Sequence, residues 1–172
     1  MKEIRDLIAD VPGFPKPEIV FKDIMPLLES PSGLALAIDA IATEYAERSI
    51  DVVAGVESRG FIFGAAIAYR MGIGFVPIRK PGKLPRETVS ATYELEYGTD
   101  TVEMHTDAAE AGTRVLLVDD LLATGGTIEA CCRLVEEVRA EVVACAFVIE
   151  LDFLKGRDRL DGREIFTLVH YE

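Results

Sequence analysis

A chain of 172 residues, 49% of them apolar and dispersed in short runs, can build one domain with a proper core but not two of ordinary size. No apolar run approaches a bilayer span, and the charge-alternating start Met1 to Ile8 has the period of an amphipathic helix rather than a signal peptide, so no membrane partner is expected. The net charge of −12 repels nucleic acid over most of the surface, and three cysteines without metal-ligand spacing (Cys131, Cys132, Cys145) suit reduced, packed thiols in a cytoplasmic protein.

In chain order, residues 3–10 read as a short helix ended by Pro12-Gly13. Residues 15–31 read as an irregular segment punctuated by four prolines, with Ile19-Val20-Phe21 extended. A long helix is expected from Ser32 to about Arg48, with Leu34, Ile38, Ile41 and Tyr45 on one face. A buried strand over 51–56, a helix over 61–71 and a strand over 74–78 give the rhythm of a right-handed βαβ unit. Residues 79–90 form a basic loop in which Arg79, Lys80, Lys83 and Arg86 fall close together, and 92–97 and 101–105 suggest a hairpin across Gly98-Thr99-Asp100. A strand over 114–118, a helix over 127–139, a strand over 142–149 and a last strand over 165–169 complete the chain. The fold class expected is α/β: a central, mostly parallel sheet with helices on both faces, in a single domain over 1–172.

Residues 115–127, Val-Leu-Leu-Val-Asp-Asp-Leu-Leu-Ala-Thr-Gly-Gly-Thr, carry the most functional information. Four unbroken apolar residues suit a strand buried on both faces, and the Thr/Gly loop after them leads straight into a helical pattern. Glycines that admit a close ligand, main-chain N–H groups and a helix N-terminus together make an anion site. Asp119 and Asp120 would repel a phosphate, so sugar hydroxyls or a ligand-borne Mg²⁺ suit them better. A Walker B reading requires a Gly-x-x-x-x-Gly-Lys-[Ser/Thr] loop, which the sequence lacks. Glu57-Ser58-Arg59-Gly60-Phe61 again follows a buried strand and opens a helix, a second candidate anion loop.

The 115–127 run resembles the phosphoribosyl-diphosphate signature of the type I phosphoribosyltransferases and is similar to its adenine-specific members. Phe21-Lys22-Asp23-Ile24-Met25-Pro26-Leu27-Leu28 and the stretch from Ile149 to Leu160 extend the resemblance over nearly the whole chain. It implies Mg²⁺-dependent transfer of 5-phosphoribosyl from phosphoribosyl diphosphate to adenine, giving AMP and diphosphate, by a cytoplasmic homodimer. Asp119 and Asp120 would hold the ribose hydroxyls, Ala123, Thr124, Gly125, Gly126 and Thr127 the 5′-phosphate. Ser58, Arg59 and the Gly60 backbone would hold diphosphate, with Arg79, Lys80 and Lys83 near it, either in the same subunit or reaching a neighbouring one. Glu96 would move a purine proton, with Asp120 and Arg59 stabilising the sugar centre and leaving group. Val20, Phe21 and Lys22 would recognise the base from a hood formed by residues 1–31. The 79–105 loop and hairpin would be a flexible lid that excludes water from an oxocarbenium-like centre. The metal would be held mainly by substrate, with no protein-only site. Many members carry Arg where this chain has Lys22, which matters only if that residue acts through its side chain. The same fold acting on xanthine or hypoxanthine, and a non-catalytic sensor of phosphoribosyl diphosphate, are the alternatives.

Overall fold

The computed structural model describes residues 1–94, 98–160 and 162–172. Its centre is a five-stranded, all-parallel sheet in the order β4-β3-β7-β8-β9, formed by Val52–Val56 (β3), Gly74–Ile78 (β4), Arg114–Leu122 (β7), Glu141–Leu151 (β8) and Ile165–Tyr171 (β9). Alternate residues of each strand enter different cores, which is why the strands read as unbroken apolar runs. Val53, Leu116 and Val118 pack with the helices Lys2–Arg5 (α1), Pro31–Glu44 (α3) and Gly60–Met71 (α4). Ala54, Val56 and Leu117 pack with Gly126–Glu137 (α5) and with the hairpin of Thr88–Glu94 (β5) and Thr99–His105 (β6). Helices therefore cover both faces, as expected. No helix among the described residues is long and apolar enough to cross a membrane.

The N-terminal expectations need correction. The first helix stops at Arg5, and Ala9–Pro12 (β1) pairs antiparallel with Val20–Asp23 (β2), from Ala9↔Asp23 to Pro12↔Val20. That ladder outweighs the helical period of Ile4, Leu7 and Ile8. Of the four prolines that suggested irregular chain, Pro15 and Pro17 do lie in bends and turns, whereas Pro26 and Pro31 open helices. Pro26 lies in the first turn of Met25–Glu29 (α2), where a missing N–H costs nothing. Pro31 starts α3, whose N-cap is Ser30, the hydroxyl accepting from Gly33 N–H at 3.1 Å. That helix ends at Glu44 rather than near Arg48.

The strand carrying the two aspartates is longer than 114–118. It pairs with β8 as far as Leu122↔Glu150, so Asp119 and Asp120 lie within the strand instead of beyond its end. The hairpin begins at Thr88, and its inner residues Ala91, Tyr93, Val102 and Met104 are buried in the core shared with α5.

Two close backbone approaches position the loops above the sheet. A Cβ at Gly156 would sit inside the contact distance of the Ala123 carbonyl and 2.9 Å from a Leu122 methyl. A Cβ at Gly125 would lie 2.5 Å from the Gly156 carbonyl, and Gly125 has φ 82°, so two independent constraints favour glycine there. The Gly156–Leu160 turn is anchored from below by Arg157, whose guanidinium donates to buried Glu150 at 2.6 and 2.7 Å. Gly156→Ala should force one of these backbones to move, costing about 2 kcal/mol and lowering Tm by roughly 4–8 °C in a chain of this size. Scanning calorimetry that finds an unchanged Tm would remove this contact from the account.

Candidate active site

The strand order places a topological switch point between β3 and β7, because the chain runs from β3 outward to β4 and returns on the other side of β3 at β7. Crevices at such points collect ligands in parallel α/β sheets. Both candidate anion loops open there. Glu57-Ser58-Arg59 joins β3 to α4 through a cis Glu57–Ser58 peptide, and Ala123-Thr124-Gly125 joins β7 to α5. The first-turn amides of α5, from Gly126 and Thr127, have no partner within the helix and face an anion favourably. A hollow of about 70 Å³ at this turn is lined by Asp119, Leu121, Leu122 and all residues from Ala123 to Ile128.

The two carboxylates and Arg59 bind these loops together. Asp120 is buried, and its Oδ2 accepts from Arg59 Nε; Asp119 is half-buried, and its Oδ1 accepts the Asp120 N–H at 2.9 Å. A side chain at position 60 would come within 2.8 Å of Asp119 Oδ1 and 3.0 Å of the Val118 carbonyl, so glycine is what lets α4 start against β7. Burial, and then the charge of Asp120, push the Asp119 carboxyl well above the usual range. Arg59 is raised despite its burial, through Asp120 first and then Asp119 and Asp23. Asp23, at the end of β2, thus brings the N-terminal hood to the same place.

The basic loop arrives with its own counterions. Glu57 accepts from Arg79 Nε at 3.2 Å, from Lys80 N–H at 3.1 Å and from Lys83 Nζ at 2.7 Å. The Lys83 hydrogen bond most of all, against a smaller effect of burial, lowers Glu57 to about 2. Lys80 Nζ binds Asp100, at the start of the hairpin's second strand, and the Tyr93 hydroxyl at 3.1 Å. Arg86 belongs elsewhere, forked onto Asp107 at 3.2 and 2.9 Å.

Strand alternation splits the base-recognition trio. Phe21 packs edge-on against Phe14, with ring centroids 5.3 Å apart. Val20 and Lys22 point the other way into a cavity of about 430 Å³ shared with Leu151, Phe153 and Tyr171. The Lys22 ammonium donates to Asp10 at 2.6 Å and lies 4.0 Å from the centre of the Tyr171 ring. The backbone tells a different story from the side chains. Gly13 N–H bonds the Ile19 carbonyl at 2.7 Å, extending the β1–β2 register by one pair. In an antiparallel ladder this alternation turns the N–H and C=O of Phe21 and Asp23 toward β1, and those of Val20 and Lys22 outward, while the Ile19 N–H donates to the Lys16 carbonyl at 3.0 Å. Among the described residues no strand pairs with that outer edge.

Glu96 lies outside the described residues. His105 Nδ1 is 3.3 Å from the Glu87 carbonyl. His170 Nδ1 is 3.0 Å from Asp152 and close to Glu150, a potential ligand cluster in which Glu150 is already committed to Arg157 and, at 2.8 Å, to Thr167. Sequence reading assigned no role to Asp100, Tyr93, Leu151 or Gly156, and none to Glu57 or Asp23 beyond membership of the second anion loop and the base-recognition segment. Glu57 had the most visible signal, being an acid directly before a Ser-Arg-Gly loop. The others are brought in by sheet order alone.

Residues 26–168 match the family model of the phosphoribosyl transferase domain. The chain is 56% identical over 171 residues to the adenine phosphoribosyltransferase of Methylococcus capsulatus, covering 99% of this chain and 100% of that one. The crystal structure of the Thermoanaerobacter pseudethanolicus adenine phosphoribosyltransferase superposes with a TM-score of 0.96 at 51% identity over 99% of both chains. That of the Saccharomyces cerevisiae enzyme, complexed with adenine and an imino-altritol bisphosphate, gives 0.93 at 44% identity over 97% of both. The chain belongs to the adenine phosphoribosyltransferases, within the phosphoribosyl transferase domain family.

Proposed function

We propose that the chain transfers the 5-phosphoribosyl group of phosphoribosyl diphosphate to adenine, giving AMP and diphosphate. The observation that carries this reading is the meeting of two strand-to-helix anion loops at one switch point, bridged by Arg59 and Asp120. One ligand with a phosphate at each end and a diol between them fits that spacing of charge. The 123–127 loop takes the 5′-phosphate, Asp119 and Asp120 the 2′- and 3′-hydroxyls, and Ser58, Arg59 and the Gly60 amide the diphosphate. Arg79, Lys80 and Lys83 complete the diphosphate subsite from the lid loop.

The carboxylate oxygens and the substrate's own diphosphate are hard donors of the kind Mg²⁺ prefers, and bound Mg²⁺ would lower the charge density of the leaving group. As the C1–diphosphate bond breaks, Asp120 faces the developing positive charge, and the lid excludes water that would otherwise capture it. Adenine presents its amino donor and ring acceptor to the outward C=O and N–H groups of the Val20–Lys22 edge. A 6-oxopurine reverses that pattern and leaves each buried partner unpaired, at about 1–3 kcal/mol apiece. Recognition through the backbone also makes the Lys22 departure harmless. Glu96 takes the role of accepting or returning a purine proton.

Three free, buried thiols suit a reducing cytoplasm. The homodimer is supported by α4, where Ile62, Ala65, Ala66 and Tyr69 form an i, i+3, i+4, i+7 stripe outside either core, with Tyr69 87% exposed.

Incubation with adenine, phosphoribosyl diphosphate and Mg²⁺ should yield AMP and diphosphate in equal amounts, whereas xanthine or hypoxanthine should react about a hundredfold more slowly or worse. Absence of AMP sinks the reading, and equal rates sink the base assignment. Asp120→Asn should lower kcat by roughly a hundredfold while weakening AMP binding far less. An unaltered kcat rejects the role given to Asp120. Tyr69→Asp should convert a dimer into a monomer in light-scattering chromatography; a wild-type chain that already runs as a monomer contradicts the assembly proposed.

A further inference from the structure

Glu57 stands in a position that electrostatics makes awkward: a carboxylate placed directly before the loop assigned to diphosphate. It is nevertheless the hub of the 79–83 turn. Its Oε2 accepts from Arg79 Nε and from the Lys80 N–H, and its Oε1 accepts from Lys83 Nζ and, at 3.3 Å, from Arg79 Nη2. Arg79 Nη1 closes the turn by donating to the Lys83 carbonyl at 3.2 Å. The guanidinium is also held from the α4 side, with its carbon 5.9 Å from the centre of the Phe61 ring. The main chain fixes the near end of the turn, because Arg79 and Glu103 exchange N–H to C=O bonds of 2.9 and 2.7 Å.

We propose that Glu57 is a positioning residue for the diphosphate subsite: its carboxylate gathers Arg79 and Lys83 and holds them beside Ser58 and Arg59. This rests on the function proposed above and names a part of its machinery. The charge balance favours positioning over blockade. One carboxylate faces two cations, so the cluster keeps a net positive charge. Lys83 uses one of its three N–H donors on Glu57, and Arg79 keeps donor capacity on its outer nitrogens. Without Glu57, two long cationic side chains on a Pro-Gly turn would have to be ordered by the ligand itself, and their rotamer entropy would weaken binding. The depressed pKa of Glu57 agrees with an anion kept charged throughout the working range.

Steady-state kinetics on Glu57→Gln, Lys83→Met and the double variant test this, with titration calorimetry of Mg-diphosphate as a measurement independent of turnover. Glu57→Gln should raise KM for phosphoribosyl diphosphate about tenfold and weaken diphosphate binding to match, with KM for adenine unmoved. The double variant should be no worse than the poorer single one, because both lesions remove the same arrangement. Multiplying losses overturn the proposal. So does an unchanged or lowered KM, the latter being what a carboxylate competing with diphosphate would give. If Glu57→Gln does not fold, Glu57→Asp keeps the charge but loses reach, and unaltered diphosphate binding in that variant is equally fatal. A wild-type chain that binds diphosphate without making AMP would reject the functional reading, while the calorimetric comparison still judges Glu57.

Discussion

A strongly negative chain that binds a strongly negative ligand has to assemble its cations without letting them be swamped or scattered. This protein solves the problem by giving each one a counterion before the ligand arrives. Arg59 has Asp120, Arg79 and Lys83 share Glu57, and Lys80 has Asp100. With Asp119 and Asp23 included, five carboxylates face the four cations, which already makes the crevice far less negative than the protein as a whole. Asp119 bears on that balance: desolvation, and then the charge of Asp120, raise its pKa, so this carboxyl holds its proton more tightly than a free one.

Such pairing demands that segments distant in sequence come within hydrogen-bonding distance, and the parallel sheet supplies the means. Loops after β3 and β7 emerge side by side because those strands are neighbours, with Val52 through Gly55 aligned to Val115 through Val118. Glycine at 60 and at 125 and 156 then removes the Cβ atoms that would hold α4 away from Asp119, and the 123–125 loop away from the 156–160 turn. Packing and function are therefore the same constraint here. The contacts that close the core above the sheet also fix the separation of the two anion loops.

Much of this was legible because it is local. The 115–118 run, the Thr/Gly loop and the helix after it announce a strand, an anion loop and a helix start within thirteen residues, and the structure keeps all three in that order. What escaped sequence reading is what depends on partners. β1 displaced the second half of the expected first helix because residues 9–12 found a ladder with 20–23, information that no periodicity in 1–10 contains. Pro26 and Pro31 were read as punctuation, yet proline marks a helix start as readily as a break, and only the following buried residues distinguish the two. The aspartates sit inside β7 because β8 extends to Leu151 and keeps pairing with it. Glu57 was visible as a residue but not as a hub, since its partners lie more than twenty positions away.

The hood shows the same division between backbone and side chain in its sharpest form. Lys22 spends its charge on Asp10 and on the face of Tyr171, holding the β1–β2 ladder against the end of β9. An arginine could make the same ion pair and the same ring contact, so exchange of the two cations alters the support and leaves the outward N–H and C=O of the strand where they were. Phe21 is likewise turned toward Phe14, and its contribution to the segment is rigidity. A recognition edge made from main-chain groups inherits its donor and acceptor order from strand direction and register. On the proposed reading, purine choice at this edge follows from which residues pair with β1, and a one-residue slip of that register would reverse what the base meets more surely than any substitution at position 22.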